Sequence, residues 1–314
     1  MQTILVTGGA GFIGSNLIEN LIRDNKNILC LDNFFSSSEN NINRFKKNNN
    51  FRLINTDITK HLKIKDKIDG IFNLACPASP VHYQSNPVMT INTNVIGSIN
   101  MLELAKENNC KILQASTSEI YGDPLEHPQN EMYWGNVNPI GIRSCYDEGK
   151  RCAETLFFDY YRQYDLNIKI IRIFNTFGPG MQVNDGRVVS NFIVQALQGK
   201  NLTVFGDGSQ TRSLLYIDDL VSGINLMFNT RNDFTGPVNL GSHNEISMIN
   251  LAEKIIRLSN SKSKIIYKTL PADDPRKRKP DINLAKKELD WFPVIDLDFG
   301  LEKTINYFKK ILKI

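Results

Sequence analysis

The chain has 314 residues, 41% of them hydrophobic and 22% charged, the balance of a globular protein with core enough for one large domain or two. Its formal net charge of +4 suits an anionic small molecule and is too diffuse to indicate nucleic acid. No stretch approaches the roughly 18 apolar residues of a membrane span, and a strand beginning by Thr3 leaves no room for a signal peptide or anchor, so no membrane partner is expected.

Thr3 to Val6 is a β-branched run, followed by Gly8-Gly9-Ala10-Gly11-Phe12-Ile13-Gly14 and a helical pattern from Asn16 to Ile22. Strand, glycine turn and helix in that order form a variant of the dinucleotide fingerprint. Glycines let the backbone approach a pyrophosphate, and the helix start supplies free N–H groups and a positive dipole end. A second strand, Ile28 to Leu31, ends in Asp32 and Asn33. An acid there can hold both ribose hydroxyls and repels a 2′-phosphate, which favours NAD over NADP. The third strand, Phe51 to Ile54, leads to Asp57-Ile58, where Asp57 is a candidate partner for the adenine amino group. A fourth, Ile71 to Leu74, runs into Ala75-Cys76-Pro77-Ala78-Ser79-Pro80, whose two prolines are expected to exclude helix and stiffen the loop.

A long helix is expected through Thr93–Glu107, then a fifth strand from Lys111 to Ala115 that ends on Thr117, Ser118 and Glu119. The next helix opens with Tyr146 and Lys150 and runs to about Tyr164. Four residues apart, these two share a helix face, and an ammonium beside a phenol lowers the phenol's pKa and makes it a usable base for a sugar hydroxyl. Alone, the pair equally fits a solvated face; the polar strand end and the glycine turn favour a site. A sixth strand spans Ile168 to Ile173. The pattern predicts an α/β fold: a Rossmann-type doubly wound parallel sheet over residues 1–174, with a smaller α/β substrate domain over 175–314, interleaved because segments near 214–243 return to the sheet.

Beyond Phe174 the alternation weakens. Asn175–Pro179 reads as a loop, Val188–Gln198 as a helix, Leu202–Phe205 as a strand and Gly206–Ser209 as a turn. Asp218 and Asp219 open a helix, Val238–Gly241 is a strand, and two more helices lie near Ser247–Ser259 and Asp298–Leu312. The charge run Asp273-Asp274-Pro275-Arg276-Lys277-Arg278-Lys279-Pro280 fits a solvated loop or a clamp for a diphosphate or carboxylate. The five cysteines (Cys30, Cys76, Cys110, Cys145 and Cys152) include no CxxC pair, which fits a reducing cytoplasm without disulfides. Cys145 has no recognisable histidine partner for a nucleophile, and the four histidines have no metal-ligand spacing, so no metal is expected.

Gly8–Gly14, the Tyr146–Lys150 pair and Asn175-Thr176-Phe177-Gly178-Pro179 resemble the extended short-chain dehydrogenase/reductases that act on nucleotide sugars. Within them the chain resembles the UDP-glucuronate decarboxylase (UDP-xylose synthase) family through longer strings: Cys76–Pro80, Ser116–Pro124, Tyr133-Trp134-Gly135, Ser144–Arg151, Asn184–Phe192 and Arg276–Asp281. Two positions depart from that family's pattern. Ile142 replaces a usual Pro, and Gly180 replaces a usual Arg, removing a cation near the substrate loop. The frequent N-terminal anchor of the family is absent, so the resemblance implies a soluble, cytoplasmic form.

The resemblance implies oxidation of UDP-glucuronate at C4, loss of CO2 from the resulting β-keto acid, protonation at C5 and reduction at C4. Tyr146 is then the base, Lys150 binds the nicotinamide ribose and keeps Tyr146 partly ionised, and Thr117 hydrogen-bonds the 4-oxygen. Glu119 and Arg278 act in decarboxylation, with Ser118 beside them. Ser79 and Tyr83 face the glucuronate, and Asn175, Arg187 and Arg212 hold the UDP. Gly8, Gly11, Phe12, Ile13, Gly14, Asp32, Asn33, Asp57, Ile58, Leu74 and Ala75 line the NAD groove together with Tyr146 and Lys150. A 4,6-dehydratase of this superfamily carries an acid where Ser118 stands, and a 4-epimerase a small apolar residue where Glu119 stands. A non-catalytic NAD-binding scaffold would have lost Tyr146 or Lys150. The family further implies a homodimer pairing two long helices from each subunit.

Overall fold

The structure is a computed structural model that describes residues 1–269 and 277–314. Of the charge run, Asp273, Asp274, Pro275 and Arg276 lie outside the described residues.

The first half alternates strand and helix: β1 (Thr3–Thr7), α1 (Phe12–Arg23), β2 (Asn27–Asp32), β3 (Phe51–Asn55), β4 (Gly70–Asn73), α2 (Pro80–Ser85), α3 (Pro87–Asn108), β5 (Lys111–Thr117), α4 (Ser144–Tyr164) and β6 (Ile168–Ile173). The proline loop does hold a short helix, because Pro80 sits in its first turn, where the missing N–H has no intrahelical acceptor to lose. The same device starts α3 six residues earlier than the sequence pattern indicates: Pro87 is in its first turn, and Asn86 caps it by accepting the Met89 N–H at 3.1 Å. The second half contains β7 (Thr176–Phe177), α5 (Val188–Leu197), β8 (Leu202–Phe205), β9 (Thr211–Ser213), β10 (Leu215–Tyr216), α6 (Ile217–Phe228), β11 (Val238–Leu240), β12 (Glu245–Ser247), α7 (Met248–Ser259), β13 (Ile265–Lys268), β14 (Lys277–Arg278), α8 (Asn283–Leu289) and α9 (Leu297–Leu312).

Among the described residues seven strands form one sheet in the order β11-β6-β5-β4-β1-β2-β3, parallel throughout. Both faces are buried, as parallel sheets require. Along β1, Ile4 and Val6 join one apolar cluster, with Leu17, Ile18 and Leu21 of α1. Leu5 points into the other, with Met101, Leu102 and Ala105 of α3 and Phe157 of α4. The strand order reverses between β1 and β4, and in open α/β sheets the crevice at that reversal, outside the strand carboxyl ends, binds ligands. β11 lies far along the chain yet pairs with β6 at the sheet edge. β9, β12 and β14 make a small three-stranded sheet, and β8 pairs with β13.

Polar side chains fix the strand ends around the crevice. Thr7 Oγ1 donates to Asn73 Oδ1 at 2.8 Å, and Asn73 Nδ2 to Gln114 Oε1 at 2.7 Å, tying β1, β4 and β5 together. Thr7 Oγ1 also accepts the N–H groups of Leu74 and Ala75, both at 3.0 Å. Helix α4 is pinned by Glu154, which accepts from Ser116 Oγ at 2.5 Å and pairs with Arg172 Nη2 at 2.7 Å. Buried ion pairs of this kind contribute more to register than to net stability. Here the register sets Tyr146 and Lys150 against the end of β5.

Candidate active site

A cavity of about 890 Å³ opens at the carboxyl ends of the strands, and every site residue singled out from the sequence lines it. At one end stands the glycine turn. Gly14 must be glycine, since a Cβ there would sit 2.3 Å from the Gly8 carbonyl oxygen. That closeness brings the start of α1, with no side-chain cap on its free N–H groups, to face the cavity. Phe12 and Ile13 of that first turn, with Gly11, complete this wall.

Asp32, at the end of β2, accepts from the Ala10 N–H (2.9 Å), the Phe34 N–H (2.9 Å) and Ser37 Oγ (2.7 Å). A carboxylate has about four acceptor positions, so one remains for a ligand hydroxyl. Asn33, Asp57 and Ile58 continue the wall past β3, and Leu74 and Ala75 face them from β4. Asp57 also fixes its own loop by accepting from the Thr59 N–H and hydroxyl, at 2.9 and 2.8 Å. Gly180 stands on this side at φ +100°, a conformation that L side chains rarely adopt, and its carbonyl accepts from Asn41 at 3.2 Å. The other departure, Ile142, is 63% exposed. Glycine turn, helix start and strand-end acid fit a dinucleotide: close backbone approach for the pyrophosphate and an acceptor for ribose hydroxyls.

In the middle lie Thr117, Tyr146 and Lys150, all buried. Lys150 Nζ donates to the Ala115 carbonyl at 2.8 Å and lies 6.0 Å from the centre of the Tyr146 ring. Tyr83 stacks on Tyr146 at 5.0 Å. Burial pushes the Tyr146 phenol up, with Cys76 acting the same way and a hydrogen bond with Thr117 opposing. Burial lowers the Lys150 ammonium, with Cys76 and Glu154 opposing. The sequence expectation that Lys150 lowers Tyr146 omitted desolvation, which here outweighs the other influences on the phenol. Cys145 is no nucleophile either: burial raises its thiol, which lies 3.6 Å from the Tyr83 carbonyl.

The far end is charged. Arg278, 1% exposed, donates from Nη1 to Glu119 Oε1 at 3.0 Å, from Nη1 to Ser118 Oγ at 3.2 Å and from Nη2 to the Gly122 carbonyl at 2.9 Å. It arrives on β14, in register beside Arg212 of β9. Of the described part of the charge run, Lys277 and Arg278 form a strand and Arg278 is buried, so Arg278 does not lie in a solvated loop. Arg143 Nη2 grips Glu119 Oε2 from the opposite side. Burial opposes the charge on Glu119, but Arg278, Arg143 and Arg212 outweigh it and hold the carboxyl below its ordinary value. Ser79 Oγ, Tyr83 OH and Arg278 Nε are buried without a hydrogen-bond partner among the described residues. Unpaired buried polar groups are costly. Asn175 lines the cavity, and Arg187, also lining it, pairs with Asp185 at 2.5 Å. Sequence reasoning missed Arg143 and its neighbour Asp147. The available signal was their spacing, one helical turn apart, around Tyr146.

Fold and site together define an extended short-chain dehydrogenase/reductase. The family model described as GDP-mannose 4,6 dehydratase matches residues 5–304. UDP-glucuronic acid decarboxylase 6 of Arabidopsis thaliana is 54% identical over 299 residues, covering 95% of this chain and 86% of that protein. UDP-glucuronic acid decarboxylase 1 of Xenopus tropicalis is 51% identical over 312 residues, covering 99% and 73%. Among solved structures, UDP-glucuronic acid 4-epimerase from Bacillus cereus, in complex with UDP-glucuronic acid and NAD, matches with a TM-score of 0.88 at 27% identity, covering 99% of this chain and all of that one. UDP-glucose 4-epimerase from Thermotoga maritima, with UDP-glucose, gives 0.91 at 28% identity over 99% of this chain and all of that one. Within the class, the chain belongs to the family of the UDP-glucuronic acid decarboxylases.

Proposed function

We propose that this chain converts UDP-glucuronate to UDP-xylose and CO2 through a 4-keto intermediate, with NAD as a catalytic cofactor. The observation that carries the reading is the Glu119 carboxylate clamped between Arg278 and Arg143 in the cavity that holds Tyr146. Cations at the far end match a sugar carboxylate, and the glycine-turn end matches a dinucleotide. What the dinucleotide supplies when bound is a reversible two-electron sink. The names of the relatives and the NAD in the Bacillus cereus epimerase complex agree with both halves.

Tyr146 takes the 4-hydroxyl proton as C4 is oxidised, with Thr117 beside the phenol. The resting phenol is protonated because it is buried, so it needs positive charge nearby to act as a base, and Lys150 is the cation this chain places against its ring. The C5 carboxylate, now β to a ketone, lies against Arg278, while the ionised Glu119 raises its energy. The C5–carboxyl bond breaks, its electrons move into the 4-carbonyl, and the Tyr146 hydroxyl donates to the enolate oxygen. C5 then takes a proton, C4 is reduced and the atoms balance as UDP-xylose plus CO2. Ser118 is a poor acid where a dehydratase needs one, which disfavours that alternative.

Proton NMR of UDP-glucuronate with the protein and NAD+ should show UDP-xylose growing as the glucuronate signals fade. A 4-keto-6-deoxy product from dTDP-glucose, with UDP-glucuronate untouched, would replace this reading with a dehydratase.

We also infer a homodimer through α3 and α4, supported by Ile91, Ile96 and Tyr164, which stand 38–45% exposed on these adjacent helices. Light scattering is expected to give twice the 35.7 kDa chain mass, and a monomer would refute the pairing. Among the described residues no helix is long and apolar enough to cross a membrane, and the five cysteines are free thiols. Both facts support the cytoplasmic setting we propose.

A further inference from the structure

We propose that Asp147 is a positioning residue that sets how much positive charge Arg143 presents to the substrate carboxylate. The inference rests on UDP-glucuronate being the substrate. Asp147 lies in the first turn of α4, directly after Tyr146, and is 7% exposed. Its Oδ2 is 3.9 Å from Arg143 Nε, one helical turn back, and its Oδ1 is buried without a partner among the described residues. Arg143 lines the cavity and grips Glu119 from its other end. A guanidinium presents several donors in one plane, so its Nε edge can face Asp147 while a terminal nitrogen holds Glu119. Asp147 therefore acts on the site through Arg143.

The groups around Asp147 come from four parts of the fold. Arg143, Cys145, Tyr146 and Glu148 belong to α4 or its first residues, Glu119 to the turn after β5, Arg278 to β14 and Tyr83 to α2. Burial and the charge on Glu119 push the Asp147 carboxyl up to about 7, against Arg143 and Arg278. Glu119 is held low and remains ionised near neutrality, whereas Tyr83, Tyr146 and Cys145 are held high and remain protonated. Asp147 is thus the member of this cluster whose charge changes near neutral pH. With Asp147 neutral, the guanidiniums of Arg143, Arg278 and Arg212 face the single charge of Glu119, and an incoming carboxylate meets an excess of positive charge. With Asp147 ionised, a second carboxylate beside Arg143 offsets part of that charge and the incoming one is less welcome. The raised group is neutral below about pH 7 and ionised above it, so affinity for a sugar carboxylate falls as pH rises through that value.

The test is calorimetric, in a Tyr146→Phe background with NAD+ present, so that the ligand is not consumed. UDP-glucuronate binding is expected to weaken on the order of tenfold between about pH 6 and pH 8.5. UDP-xylose, which shares the UDP and lacks the carboxylate, should bind with little change. Adding Asp147→Asn should leave UDP-glucuronate tight and pH-independent, and Asp147→Glu should restore a slope. With Tyr146 intact, the Asp147→Asn change should show in KM rather than kcat. A slope that survives Asp147→Asn, or an equal slope for UDP-xylose, overturns the proposal while leaving the substrate reading in place. Failure of either sugar to bind at any pH overturns both.

Discussion

The two ends of the cavity are built differently. The dinucleotide end uses successive strand ends of one parallel sheet: Gly8 after β1, Asp32 closing β2, Asp57 after β3 and Leu74 after β4. Each residue there is placed by a backbone ladder and short hydrogen bonds such as those to Thr7 and Asp32. The carboxylate end brings together side chains 159 or 160 positions apart in sequence, as in Arg278 with Glu119 and with Ser118. Its cohesion is electrostatic, and it has buried groups without partners among the described residues, Tyr83 OH and Arg278 Nε included. The first end is a rigid platform defined by the sheet. The second is a balance of charges that a ligand completes, and single substitutions shift it.

That contrast can be broken at graded cost. Tyr146→Phe, between the two ends, removes the ionisable phenol and should lower turnover by about 10²–10⁴-fold with NAD binding little changed. Steady-state rates and NAD titration check it, and near-normal turnover would show that the phenol is not the base. Arg278→Ala removes a charge-assisted contact worth about 1.5–3 kcal/mol, or roughly 10–150-fold in decarboxylation rate. Its NAD affinity should stay close to that of the parent protein if the ends are independent, while its unfolding midpoint falls because a buried site is emptied and Glu119 loses a cation. A parallel loss of NAD binding would show instead that the charged end supports the platform. The smallest effect is the roughly tenfold pH slope assigned to Asp147, which changes the charge balance without removing a contact to the ligand.

Much of the dinucleotide end was legible in the chain. The spacing of Gly8, Gly11 and Gly14 and the acid closing the second strand follow from local rules that a sheet imposes on short segments. The Tyr146–Lys150 pair follows from helix periodicity in the same way. Other local features escaped the pattern. Pro77 and Pro80 read as helix breakers, yet Pro80 lies in the first turn of a helix, because the same residue stops a helix from within and tolerates its start.

By itself, then, the sequence determined the alternation of strand and helix, the nucleotide turn and which side chains share a helix face, because these depend on neighbours within a few residues. Tertiary structure alone decided three other things. It chose the edge beside β6 as the place where β11, in the segment expected to return to the sheet, is paired. It placed Arg278, from the charge run, on a strand beside β9 and set its buried guanidinium against Glu119. It also set the protonation of the site, since burial raises Tyr146 and Asp147 while the surrounding arginines keep Glu119 ionised. The reason is physical: desolvation and the Coulomb field depend on which groups from distant segments are packed around a side chain, and residue order does not specify that distance.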